Sequence, residues 1–138
     1  MIEGLSHMTF IVSDLDWTEA LLVKVLDAKR LYDSDDQMFS LSKERFFDIG
    51  GVWVAIMQGR ARQDQSYDHI AFKIPDDEYD SRLRLIRSLG LEIREGRPRV
   101  EGEGRSIYFY DYDNHLFELH SGTLAERLRR YENGSPKA

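Results

Sequence analysis

The sequence predicts an α+β fold made of two paired βαβββ units. Two observations carry this reading. The chain repeats itself at a nearly constant offset, and its apolar residues change from period two to period 3.6 in the same order in each half. Size agrees. The 138 residues allow a single domain spanning residues 1–138 that buries its own core without disulfide or metal staples.

The repeat opens on His7-Met8-Thr9-Phe10-Ile11-Val12-Ser13-Asp14 and returns at His69-Ile70-Ala71-Phe72-Lys73-Ile74-Pro75-Asp76, an offset of 62. Each segment begins at a His, reads as a strand and ends at an Asp. Helices are expected next, over about Asp16–Leu26 and about Asp77–Leu89. In the second, Leu83, Ile86 and Leu89 fall at helical spacing, and Gly90 offers a C-terminal cap. Two further strands are expected in each half: about Lys29–Tyr32 and Met38–Ile49, then about Leu91–Arg94 and Ser106–Asp111. The halves close on Gly51–Gly59 and Asn114–Gly122, at an offset of 63. Gly50-Gly51 and Tyr112-Asp113-Asn114 supply the turns before them. Repeat 1 therefore covers about 3–59 and repeat 2 about 65–122. Thr123-Leu124-Ala125-Glu126 fits a capping box and predicts a last helix over about 123–131.

Composition narrows the function classes. Lys and Arg total 19 against 25 Asp and Glu, a net charge of −6, which argues against a nucleic-acid partner. With no Cys, disulfides, thiolate metal sites and cysteine nucleophiles are excluded. The N-terminus lacks a signal-peptide pattern, and no apolar run approaches the ~18 residues of a membrane span. A soluble cytoplasmic protein is expected.

Three residues acquire meaning from the repeat. It maps His7 onto His69 and Ala55 onto Glu118. If the two units pair about a pseudo-two-fold axis, equivalent positions converge. One cavity then receives two imidazoles and one carboxylate, while Ala55 leaves the fourth place without a ligand. A lone His at a strand start is ordinarily a surface residue. Glu118, set among Leu116, Phe117 and Leu119, is a different matter. An unpaired carboxylate there costs several kcal/mol, so it calls for Arg or a metal ion. Two His and one carboxylate with open positions suit a catalytic divalent metal.

Several segments resemble the vicinal-oxygen-chelate superfamily: Gly4-Leu5-Ser6-His7-Met8-Thr9, Tyr67-Asp68-His69-Ile70-Ala71-Phe72, and Tyr110 through His120. Within that superfamily they resemble the fosfomycin resistance proteins. Arg97–Asp111 and Phe39-Ser40-Leu41-Ser42-Lys43-Glu44 are similar to the FosX type in particular, and the likeness covers residues 1–131.

The resemblance implies a glyoxalase-type fold and a homodimer in which units of two chains combine to form each cavity. It implies Mn(II) held by His7, His69 and Glu118, with other divalent ions compatible with the same ligands. The implied activity is hydrolysis of the fosfomycin epoxide by water to the vicinal diol, giving resistance, with Glu44 as general base. The resemblance also implies substrate contacts at Thr9, Ser106, Tyr108 and Arg127, a basic contact from Arg94 or Arg99, and cavity walls from Trp53 and Tyr67. The loop before Ser106 is longer than in glutathione-using relatives and rich in Glu and Arg, so no potassium requirement is expected. Three other readings remain open: a thiol transferase acting on fosfomycin, an Fe(II) ring-cleaving dioxygenase, and a drug-binding module without catalysis.

Overall fold

A computed structural model describes residues 1–96 and 100–134. The elements run β1 (His7–Val12), α1 (Leu15–Leu26), β2 (Lys29–Asp33), β3 (Glu44–Ile49), β4 (Val52–Gln58), β5 (His69–Lys73), α2 (Tyr79–Ser88), β6 (Ile93–Arg94), β7 (Ser106–Tyr110), β8 (Leu116–His120) and α3 (Leu124–Asn133). Two four-stranded sheets share one topology, β1-β4-β3-β2 and β5-β8-β7-β6. The strands fall into two compact units. One is Met1–Tyr67 with Tyr110–His115; the other is Asp68–Phe109 with the chain from Leu116 on.

Register carries the repeat to single residues. Parallel β1 and β4 pair His7 with Trp53 and Thr9 with Ala55. Parallel β5 and β8 pair His69 with Leu116 and Ala71 with Glu118. His7 and His69 are thus equivalent, as are Ala55 and Glu118.

In the first unit the core lies under α1. Leu21, Leu22 and Val25 of the helix are buried, as are Val12, Phe47, Val54 and Ile56 of the strands. The Asp14 carboxylate caps α1 by accepting the Trp17 N–H at 3.0 Å. In the second unit the Phe109 and Phe117 rings stack at 5.7 Å, with Ile86 of α2 buried as well. Burial on one face leaves the opposite side chains of β7 and β8 for chemistry. At α3, the Thr123 hydroxyl accepts the Glu126 N–H at 3.1 Å, as the capping box predicts.

Three strand and helix boundaries differ from expectation. The strand expected from Met38 begins at Glu44. Asp35 turns the chain at φ 53°, and Met38, Phe39 and Leu41 lie exposed in the loop that follows. Their apolar spacing imitates a strand, but no neighbouring strand pairs with them. The strand expected over Leu91–Arg94 contracts to Ile93–Arg94. The second helix is entered through a 3-10 turn, Asp76–Glu78. Gly90 does end that region, at φ 69°.

An ion cluster fixes the start of β3. The Arg45 guanidinium meets Asp16 at 2.8 Å, Asp33 at 3.2 Å and Glu19 at 3.3 Å. Its side chain is only 13% exposed, so removing it leaves the partly buried Glu19 and Asp33 carboxylates without their shared cation. The Asp35 amide, and after it the Arg45 and Arg30 charges, hold the Asp33 carboxyl below its ordinary pKa. A depressed carboxyl stabilises fully above its unfolded pKa, and that contribution drains away as pH falls through the lowered value. Arg45→Leu is therefore expected to cost about 2 kcal/mol at pH 7, several degrees of thermal midpoint. The gap to wild type should narrow as the melts are repeated down to pH 3. A gap that does not change with pH would refute the cluster's role.

Candidate metal centre

Period two divides each sheet into a core face and a second face. In the second unit that second face carries His69 from β5, Arg94 from β6, Ser106 and Tyr108 from β7, and Glu118 and His120 from β8. Arg94 belongs there because it sits directly opposite Tyr108 in the β6–β7 ladder. His69 Nε2 lies 3.1 Å from Glu118 Oε1. The edge of the His69 ring meets the Tyr108 ring, with centroids 5.4 Å apart. Glu118 is 5% exposed, buried as its apolar neighbours require. Its other oxygen, Oε2, accepts the Ser106 hydroxyl at 2.6 Å.

The donor chemistry fits a divalent cation. A neutral imidazole nitrogen and a carboxylate oxygen are both ligands for small first-row dications. Donors about 2.1 Å from one ion and at right angles to each other sit about 3 Å apart, close to the spacing of Nε2 and Oε1. Among the described residues, no three His, Asp or Glu side chains of one chain gather tightly enough to hold a metal.

In the first unit the face opposite the core carries His7, Thr9, Glu44 and Trp53. The Trp53 ring stacks on His7 at 4.1 Å, and Ser6 Oγ lies 3.0 Å from His7 Nδ1. Across the ladder Glu44 pairs with Met57, which puts it on this same face. Glu44 is buried at 9% exposure. Its backbone is clamped twice by Ser34: the Glu44 N–H donates to Ser34 Oγ, and the Ser34 N–H donates to the Glu44 carbonyl, each at 3.0 Å. Tyr67 lies in the loop before β5 and is half exposed.

The arginines separate by partner. Arg105 is held by Asp76 at 3.0 Å and lies over the Tyr79 ring, so it serves the fold. Arg127 of α3 reaches His120 Nε2 at 3.4 Å. Arg97 and Arg99 fall outside the described residues.

A model of the Glyoxalase/Bleomycin resistance protein/Dioxygenase superfamily matches residues 4–119. The fosfomycin resistance protein FosX of Listeria monocytogenes is 60% identical over 131 residues, covering 95% of this chain and 98% of that one. The chain belongs to the FosX family of fosfomycin resistance proteins. The metallothiol transferase FosB of Bacillus licheniformis is more distant, at 38% identity over 98% of this chain and 86% of its own. A crystal structure of a variant of the Listeria FosX, complexed with Mn(II) and 1S,2S-dihydroxypropylphosphonic acid, superposes with a TM-score of 0.86. It is 53% identical and covers 95% of this chain and 99% of that one.

Three structural features escaped the sequence-based reading of this FosX-family chain. They are the Ser34 clamp on Glu44, the Arg45 cluster, and the engagement of His120. The last had a signal: period two already set His120 beside Glu118. Gly122 has a packing reason as well. A Cβ there would run into the Glu103 carbonyl and come within 2.7 Å of His120 Nε2. Gly122→Ala is expected to cost about 1–3 kcal/mol through overpacking. Chemical denaturation would measure it, and an unchanged midpoint would show that the turn has room to spare.

Proposed function

We propose that this chain opens the fosfomycin epoxide with water, giving the vicinal diol in a Mn(II)-dependent reaction that inactivates the antibiotic. The observation that carries the reading is Glu118 Oε1 set beside His69 Nε2 on the polar face of the second sheet. The Mn(II) and vicinal diol phosphonate bound by the FosX relative support it. His69 and Glu118 supply two ligands, and His7 of a second copy supplies the third, so the working unit is a homodimer. His7 is exposed on its own sheet face and available to such a copy. The proposed setting is the cytoplasm, in keeping with a chain that has no cysteine.

Bound there, the divalent cation would stabilise the negative charge that develops on the epoxide oxygen, an effect worth several kcal/mol. The remaining work falls to side chains. Glu44 takes a proton from water as the water oxygen bonds to a ring carbon. The ring C–O bond breaks, and the proton passes to the departing oxygen, so one water is consumed and the carboxylate is restored. The Ser34 clamp keeps this base from drifting, since a misplaced base loses most of its effect.

Thr9, Tyr108, Arg127 and Arg94 are the groups assigned to the phosphonate, with Arg99 as the alternative basic contact. Arg suits a phosphonate because its planar fork pairs two oxygens at once. Trp53 and Tyr67 are assigned to the walls. Ser106 is assigned to the substrate as well, and its hydroxyl hydrogen is donated to Glu118.

The test is a thiol-free assay on metal-stripped protein, followed by phosphorus NMR with each divalent ion added back. Diol should form with Mn(II) alone, at the same rate in sodium and potassium buffers. The FosB relative makes thiol transfer the second reading, and turnover only after a thiol is added would establish that instead. Glu44→Gln should lower kcat by about 10²–10⁴ while sparing Mn(II) binding. Intact turnover in Glu44→Gln would remove Glu44 from the mechanism.

The shared centre has its own check. His7→Ala and Glu118→Ala should each be inactive alone. Mixed and allowed to exchange, they should recover up to about a quarter of wild-type activity, since half the dimers then carry one complete set. No recovery despite proven exchange would place all three ligands in one chain.

A further inference from the structure

We propose that His120 is a positioning residue of the metal centre, acting on Glu118 through Ser106. The proposal rests on the reading of Glu118 as a ligand and extends it to a side chain with no assigned role.

The hydrogen-bond directions follow from the groups themselves. Arg127 Nη2 lies 3.4 Å from His120 Nε2, and a guanidinium has only donors to offer. Nε2 therefore accepts, and the ring proton sits on Nδ1. Nδ1 lies 2.7 Å from Ser106 Oγ, so the imidazole donates and the serine oxygen accepts. The serine then has one hydrogen left, and it goes to Glu118 Oε2 at 2.6 Å. His120 Nδ1 is itself 3.4 Å from that oxygen. The result is a one-way relay from Arg127 through His120 and Ser106 to Glu118. It pins Oε2 and turns Oε1 toward His69 Nε2, 3.1 Å away.

The ring's seat is equally confined. Gly122 leaves no Cβ to crowd Nε2, which a side chain at that position would approach to 2.7 Å. His120 is buried to the extent that its side chain is 16% exposed. A carboxylate held at one oxygen presents the other in a single direction, which lowers the ordering cost of ligation. Such supporting partners are typically worth 10–100-fold in metal affinity.

The test measures Mn(II) affinity of metal-stripped homodimer without substrate, from the free Mn(II) EPR signal, so turnover plays no part. His120→Ala should weaken binding by about 10–100-fold. His120→Asn keeps an N–H donor near the Nδ1 position and should recover most of the loss. His120→Gln, whose amide sits near Nε2 instead, should not. Because His120 acts through Ser106, the double variant Ser106→Ala/His120→Ala should bind no more weakly than Ser106→Ala alone. Thermal melts of each apo variant separate lost affinity from lost folding, and Asn at 120 keeps a folded comparison available.

Wild-type affinity in His120→Ala, or losses that add in the double variant, would overturn the proposal. Glu118→Gln is the control for the reading beneath it. If Glu118→Gln still binds Mn(II) like wild type, the ligand assignment fails and the relay with it. If only the His120 variants bind normally, the relay fails alone.

Discussion

A carboxylate buried in a sheet must be met by donors or a cation, and in the second unit Glu118 organises everything near it. Ser106 donates to one oxygen, and His69 faces the other. Were either oxygen left bare at 5% exposure, the cost would rival a large share of the stability of a domain this size. The polar face is therefore arranged around a charge that the apolar face could not tolerate. Binding of a dication there would offset a cost the fold already carries, which is how a site can be both expensive and stable.

Duplication explains why that charge has no counterpart at the equivalent place in the first unit. Both units use the same strand order, and β1–β4 and β5–β8 share one register. The backbone at Ala55 is thus equivalent to the backbone at Glu118, yet a methyl group replaces the carboxylate. Thr9 and Ala71 differ in the same way. One unit keeps a His, a Thr and the Glu44 carboxylate on its polar face. The other keeps a His and the Glu118 carboxylate. Divergence has given two copies of one scaffold different polar side chains, and on the proposed reading neither unit alone carries ligands and base together.

Much of this is legible in the sequence. The two offsets, 62 and 63, correspond to the β1–β5 and β4–β8 equivalences that register displays. Period two sets Ser106, Tyr108 and Tyr110 on one face of their strand, and Glu118 with Leu116 and His120 on one face of the last strand. What failed was local. Met38, Phe39 and Leu41 carry strand-like apolarity in a loop, because alternation records which residues are apolar and not whether a neighbouring strand exists. The Arg45 cluster joins residues 16, 19, 33 and 45, and no periodicity announces a charge network spread over three elements. The hydrogen bond from Ser106 to Glu118 was not legible, because pairing between side chains of neighbouring strands leaves no mark on periodicity.

The arginines make the last connection. On the proposed function, an acidic chain of net charge −6 would bind a phosphonate anion against its own field. Counting basic residues does not say which can help. Arg45 is committed to three carboxylates and Arg105 to Asp76. Arg127 differs, because its contact is a neutral imidazole nitrogen, which accepts a hydrogen bond without cancelling the charge. The guanidinium is thereby held in place with its charge intact. That suits an anion site better than an arginine whose charge a neighbouring carboxylate already offsets. The Arg127–His120 contact also keeps a cation beside the proposed centre, so in the proposed scheme carboxylate orientation and anion attraction would rest on one pair of side chains.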